Sequence, residues 1–245
     1  MRRLALILAL LGLFCPMVQA AKQVTFVSTD YPPYFSGKLA EEGTVAAVSR
    51  AAFKAAGYDL KLVFRPWARL LQEVQAGKYD GVVAVWYQAD RERYLAYSAP
   101  LLDTHIGFYG RREQALDVGN LQGLQTRLIG TVRGYANPPA FEAAGLRTEE
   151  AVDDLTNLRK LDAGRLDLVL IDRAVGNWLL RNDLPAAMAR VTWLEPPVLT
   201  MPLYLGIAKQ KPGYQKLLTD FNQGMAEIRR NGEYDRIMRR LPLTP

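Results

Sequence analysis

Residues 85–100 read VWYQADRERYLAYSAP: an apolar run ends in Trp86, and Arg91 and Arg93 follow, separated only by Glu92. A planar guanidinium can hold a carboxylate through two parallel hydrogen bonds, which fixes orientation as well as charge. Residue chemistry alone leaves a second reading open, in which both arginines are solvated on the first turn of a helix and paired with Asp90 and Glu92. Asp172, at the end of the apolar run LVLID, raises a related question. A buried carboxylate without a partner is costly, and Arg173 or Arg181 would be the neighbours to supply one. Other chemistry is sparse. The chain has one histidine, His105, and one cysteine, Cys15, so no His/Cys cluster offers a metal site. Neither a glycine-rich phosphate loop nor a nucleophile elbow is present. No metal and no cofactor are expected.

The elements that must position these residues alternate between strand and helix. Residues 23–29 read as a strand, and Tyr31-Pro32-Pro33-Tyr34 forces a loop. Residues 44–57 read as a helix with Val45, Val48, Ala52 and Phe53 on one face and Gly57 closing it. Leu60–Phe64 reads as a strand. Pro66 starts a helix whose stripe is Trp67, Leu70, Leu71 and Val74, which places Trp67 in the core, and Gly81–Trp86 is a short buried strand. Such alternation implies mainly parallel sheets covered on both faces.

An internal repeat divides the chain. Residues 71–86, LQEVQAGKYDGVVAVW, align without a gap on residues 158–173, LRKLDAGRLDLVLIDR. They share a leucine, an Ala-Gly helix stop, an aspartate after the turn and a valine in the strand. The second half therefore builds its own sheet, which predicts two α/β lobes. Trp86 and Asp172-Arg173 then end equivalent strands, where open parallel sheets bind ligands, and two lobes facing one another enclose a cleft. Residues 104–109 and 203–209 read as crossing strands, so the chain leaves the first lobe near residue 108 and returns near residue 204. The expected division is 21–107 with 205–245 for lobe 1 and 108–204 for lobe 2, joined by a two-strand hinge.

Residues 1–20 stand apart from that fold. Arg2 and Arg3 precede LALILALLGLF, and Val18-Gln19-Ala20 supplies small residues before a cut, the pattern of a cleaved secretory signal. The run is too short to span a bilayer. Cys15 follows the bulky Phe14, which argues against lipidation, and cleavage after Ala20 removes the only thiol. The mature chain then holds 29 basic and 25 acidic residues, a net charge of +4. Its lysines and arginines are scattered, so nucleic acid is not an expected partner.

Four stretches carry a family likeness: YPPY near the start; GKYDGVVA followed by RERYLAYSAP; LIGTVRGY; and the closing LYLGIAK, LL, FN and IRRNGEYDRI. In order and spacing the mature chain resembles the bacterial periplasmic solute-binding proteins of polar amino-acid ABC uptake systems, family 3 of the extracellular solute-binding proteins. The resemblance implies a type II periplasmic-binding fold: α/β, two lobes, each a mostly parallel sheet flanked by helices. It implies a periplasmic monomer that binds a small solute and delivers it to an ABC permease. Arg91, seven residues before Ser98, takes the place of the arginine that clamps an α-carboxylate, and Arg93 does not align. Asp172 takes the place of the acid that receives an α-amine. Tyr31 and Tyr34 match pocket-wall aromatics, and Trp86 is expected to line the same cleft. The chain also departs from the family pattern. Gly43-Thr44-Val45 replaces a Gly-Phe-Asp pattern, and Arg133-Gly134-Tyr135 replaces Gly-Thr, with Asn137 and Pro138 opening the next helix. With Arg133 beside Arg91, the expected ligand carries one or two acidic groups or is unlike an amino acid.

Two other functions share this architecture. An exported dehydratase-like enzyme would need an acid near the substrate-binding arginine, with Glu41, Glu42 or Asp172 as candidates; His105, on a crossing strand, is expected to be structural. A ligand-sensing module would act through a partner protein. Neither shows a distinguishing motif, and a non-enzymatic binder is the expectation.

Overall fold

The computed structural model describes residues 21–114 and 116–243; the signal segment with Cys15 lies outside them. The first strand, β1 (Lys22–Ser28), buries Val24, Phe26, Val27 and Ser28. The tyrosine-proline loop then folds back on itself, with the Tyr31 amide donating to the Phe35 carbonyl at 2.8 Å. Helix α1 (Thr44–Ala55) starts from Gly43, whose φ is +99°. A Cβ there would lie 2.6 Å from the Tyr34 carbonyl oxygen, so the turn requires glycine. The apolar stripe Val45, Val48, Ala52 and Phe53 faces inward, as its spacing predicts.

Strand β2 (Tyr58–Phe64), helix α2 (Trp67–Gln75) and strand β3 (Gly81–Trp86) complete a parallel set in which β1 lies between β2 and β3. A short β4 (Leu95–Tyr97) precedes β5 (Leu102–Arg111), which leads away into the second half. There β6 (Leu128–Val132), α3 (Pro139–Ala143), β7 (Arg147–Ala151), α4 (Asp154–Asp162), β8 (Leu168–Asp172) and α5 (Arg173–Asn182) follow. Their strands form a second parallel set with its own first strand, β6, in the middle. The return strand β9 (Val191–Ala208) pairs antiparallel with β3, β4 and β5, and helices α6 (Tyr214–Arg230) and α7 (Glu233–Arg240) close the chain on the first half. The full strand order is β2-β1-β3-β9-β5-β8-β6-β7, with β4 also on β9. Two parallel triplets are thus joined through the crossing strands β5 and β9.

The repeat has a common physical basis. Gly77 and Gly164 both stop their helices in the left-handed region, at φ +71° and +72°. Three residues on, the Asp80 carboxylate accepts from the Thr25 amide at 2.7 Å, and the Asp167 carboxylate accepts from the Leu128 amide at 2.9 Å. In each half the shared aspartate therefore satisfies an amide of the central strand, and its own backbone N–H returns a bond to the same residue.

Strand β9 extends further back than its sequence pattern predicts, because Pro196, Pro197 and Pro202 interrupt the alternation. Pairing with β5 shifts register between Ile106↔Leu199 and Phe108↔Leu194, so residues 195–198 form a bulge between the halves. The main core stacks Phe26 on Phe53 at 5.1 Å and Phe53 on Phe221 at 4.7 Å. It continues from lobe 1 across Tyr31 and Tyr34 to Val175 and Leu179 of the second half, so the lobes are in contact. No described helix is long and apolar enough to cross a membrane.

Candidate ligand-binding cleft

Residues 89–93 form a 3-10 turn after β3, and this turn separates the two arginines. Arg91 points inward and is 5% exposed, whereas Arg93 is exposed and lies 5.8 Å from the Tyr94 ring. The hydrogen bonds of buried Arg91 go to two carbonyls, with the Tyr94 hydroxyl also near its guanidinium. Its Nη1 is 3.4 Å from the Trp86 oxygen and its Nη2 is 3.5 Å from the Gly134 oxygen, with the Trp67 ring 5.5 Å away. It makes no ion pair among the described residues. Burying a guanidinium with two long neutral bonds and no carboxylate leaves much of its charge uncompensated.

Around Arg91 the two halves meet through aromatic side chains. Tyr31 stacks on Tyr34 at 5.8 Å, and Tyr135 from the second half stands edge-on to Tyr31, Trp67 and Trp86 at 6.0, 6.1 and 5.9 Å. Trp67 Nε1 also donates to the Gly134 carbonyl at 3.0 Å. Its helical stripe predicts a core position, yet Trp67 is only partly buried and lines the cleft, because α2 lies at the rim where the second half covers it. Trp86 is held by a bond from Nε1 to Thr104 Oγ1 at 3.1 Å. The inner cavity left among Tyr31, Trp67, Trp86 and Tyr135 is only about 30 Å³, room for little more than water. Outside Tyr135 a cavity of about 600 Å³ opens between the halves, walled by Tyr31, Trp67, Tyr135 and Trp178.

Asp172 is fully buried, and its partner is neither Arg173 nor Arg181. Its Oδ1 accepts from the Ala174 and Val175 amides at 2.9 and 3.0 Å, capping α5, and from the Tyr34 hydroxyl at 2.9 Å. That last bond ties lobe 1 to lobe 2. Arg173 pairs instead with exposed Glu195 at 3.0 Å. The second oxygen of Asp172 has no partner among the described residues. Burial pushes its carboxyl up to about 6, against the stabilising bonds from Val175, Tyr34 and Ala174.

Arg133 does not join the cluster. It is largely exposed and pairs with Glu150 at 3.2 Å, because residue 133 leaves the end of β6 on the outer side while the Gly134 carbonyl and the Tyr135 ring face the cleft. Helix α3 begins at Pro139, with Pro138 as an N-cap that makes no side-chain bond. The acid candidates Glu41 and Glu42 lie outside the cavities described here: Glu41 forms a two-pronged pair with Arg240 at 2.8 and 2.9 Å, and Glu42 pairs with Arg50. His105 sits on β5, exposed, with Nδ1 at 2.9 Å from Thr200 Oγ1.

One residue in this cleft escapes the sequence reading. Asp154 is 5% exposed, and the Tyr135 hydroxyl donates to its Oδ2 at 3.3 Å. Burial pushes its carboxyl up to about 7. The signal in the sequence is the doubled Asp153-Asp154 at a helix start. A cap needs only one, and Asp153 provides it by accepting from the Thr156 amide at 2.7 Å.

With this geometry established, the sequence matches the model of the bacterial extracellular solute-binding proteins, family 3, over residues 24–241. The chain belongs to that family. Among curated proteins none matches it. A histidine kinase sensor domain with similarity to periplasmic binding proteins superimposes with a TM-score of 0.78 at 17% identity, covering 91% of this chain and 97% of that one. An ancestral arginine-binding protein bound to arginine gives 0.76 at 19% identity, covering 91% and 99%. An ancestral amino acid-binding protein that is a precursor of cyclohexadienyl dehydratase gives 0.71 at 18%, covering 89% and 94%. These family 3 likenesses establish the two-lobed type II periplasmic-binding fold, and the family is one of extracellular proteins.

Proposed function

We propose that this protein is exported to the periplasm behind a cleaved signal, binds a small solute bearing a carboxylate and an amine in its interlobe cleft, and delivers it to an ABC permease. The observation that carries this reading is Arg91, a buried guanidinium at the seam between lobes that bonds two carbonyls at 3.4 and 3.5 Å and forms no ion pair among the described residues. A ligand carboxylate would supply the missing charge through two short bonds. Asp172, whose second buried oxygen has no partner among the described residues, is the complementary acceptor for an amine. Tyr31, Trp86 and Tyr135 wall the inner cavity between the lobes, and Tyr34 holds Asp172 through its hydroxyl. With Arg133 turned out to Glu150, a second acidic group, which the sequence leaves open, loses its cation. The outer cavity carries Asp30, Asp153, Asp154 and Asp183 against the single Lys38, which disfavours a diacid further. An amino-acid-type zwitterion fits better, as in the arginine-bound relative.

The reading is of a monomer that binds its solute without converting it: of the three acids a dehydratase could use, Glu41 and Glu42 are held in ion pairs away from the cavities, and Asp172 is occupied in capping α5 and holding the Tyr34 hydroxyl. A sensing role through a partner is the second reading, supported by the sensor-domain relative. The test is a thermal-shift screen of the mature protein against amino acids, di- and tricarboxylates, polyamines and prephenate. A ligand at a hundred times its dissociation constant adds about 2.7 kcal/mol of stability. An amino acid recovered unchanged supports the proposal; consumption of prephenate would replace it with a dehydratase, and a hit confined to dicarboxylates would remove the amine.

A further inference from the structure

We propose that Asp154 and the Tyr31 hydroxyl form a second binding subsite in the cleft, which takes a cationic nitrogen of the solute, ammonium or guanidinium, distinct from the amine at Asp172. The ligand nitrogen would replace the Tyr135 hydroxyl on Asp154. This deepens the preceding reading and rests on it for the location of the solute.

Three observations carry the inference. Asp154 is 5% exposed, its Oδ1 has no partner among the described residues, and its Oδ2 has only a neutral phenol at 3.3 Å. An ionised carboxylate in such surroundings is under-satisfied by several hydrogen bonds. Tyr31 is 6% exposed, and its hydroxyl is likewise unpartnered. Both residues line the same cavity of about 600 Å³, together with Tyr135, Trp67 and Trp178, aromatic faces suited to a cation. The other charged groups lining it are Asp30, Asp153 and Asp183, against Lys38 alone, so the cavity favours a positive ligand. Asp154 has no competing structural task, because Asp153 already caps α4. Burial raises the Asp154 carboxyl, as expected for an acid awaiting a counter-charge.

Calorimetric titration of the mature protein with two matched pairs tests this: L-lysine against L-norleucine, and L-arginine against L-citrulline. 1,5-Diaminopentane serves as a probe without a carboxylate. A charged hydrogen bond predicts that the cationic member of at least one pair binds at least about tenfold more tightly. In Asp154→Asn, which keeps size and shape, that ratio should fall to about one, and Asp154→Glu should restore part of it. Equal affinity within both pairs in the wild type, or a preference that survives Asp154→Asn, overturns the subsite while leaving the amino-acid reading intact. Binding of diaminopentane that Asp154→Asn abolishes, with no amino acid bound, keeps the subsite and overturns the amino-acid reading. Silence from every probe overturns both.

Discussion

Arg91 and Arg93 stand two positions apart and meet opposite environments, one sealed at the lobe seam and the other in solvent. A 3-10 turn decides between them, and its three-residue period is hard to read from so short a segment. The buried acids make a prediction of their own. Asp154 and Asp172 titrate at about 7 and about 6 in the folded protein, above their ordinary 3.8. Between about pH 4 and 7 the folded state therefore holds more protons than the unfolded chain, so these two groups stabilise the fold at low pH and lose that contribution as pH rises through 6 and 7. The groups that bear on the Asp154 carboxyl are the Tyr135 hydroxyl and the charges of Asp172 and Asp153, and Asp154 in turn raises Tyr31. Acids shifted the other way, Glu73 to about 2 and Asp220, act below that window. Urea unfolding of the unliganded protein should show a smaller loss between pH 4.5 and 7.5 in Asp154→Asn than in the wild type; an unchanged loss would remove Asp154 from the account. The resemblance assigns roles to Arg91, Tyr31 and Tyr34, the repeat points to Trp86 and a departure from the family pattern to Tyr135; the aromatic side chains among them meet at the lobe seam. Arg133 was misplaced because a single turn at the end of β6 sends adjacent residues to opposite sides, which no spacing rule encodes.

At the scale of elements, the repeat was legible because each half needs the same parts: a glycine to stop the helix, and an aspartate to hold the central strand. Asp80→Ala and Asp167→Ala each orphan a strand amide, at 2.7 and 2.9 Å in the intact protein. Each substitution should cost about 1–3 kcal/mol in chemical denaturation, with similar values in the two halves. A large asymmetry would show that the repeat is only punctuation. Helix packing gives a second test. A Cβ on Gly224 would lie 2.0 Å from the Ala52 carbonyl oxygen, so α6 and α1 could not keep their approach. Gly224→Ala should destabilise by about 1–3 kcal/mol, read by the same method. The elements that escaped the sequence were those whose pattern is diluted: β7, RTEEA, is exposed except for Ala151, and the first half of β9 is broken by prolines.

For the whole molecule, the contacts from Tyr34 to Asp172, from Trp67 to Gly134 and around Tyr135 describe a closed cleft. We propose that opening pivots near Gly107 on β5 and residues 195–198 on β9, where the pairing slips; the return crossing then lies earlier than residue 204, the position its sequence suggests. A solute favours the closed form only by binding it better than the open one. Small-angle scattering should therefore show the radius of gyration fall when a solute found by screening is added, and a constant radius would mean the cleft does not close on its ligand. Everything in this sequence of events depends on a carboxylate reaching Arg91. The most direct measurement is calorimetric titration of the best-binding amino acid into wild-type protein and Arg91→Ala, with circular dichroism confirming that the variant folds. The account predicts a loss of affinity of about 10- to 150-fold, the range for a charged hydrogen bond. Unchanged affinity in a folded Arg91→Ala would contradict it.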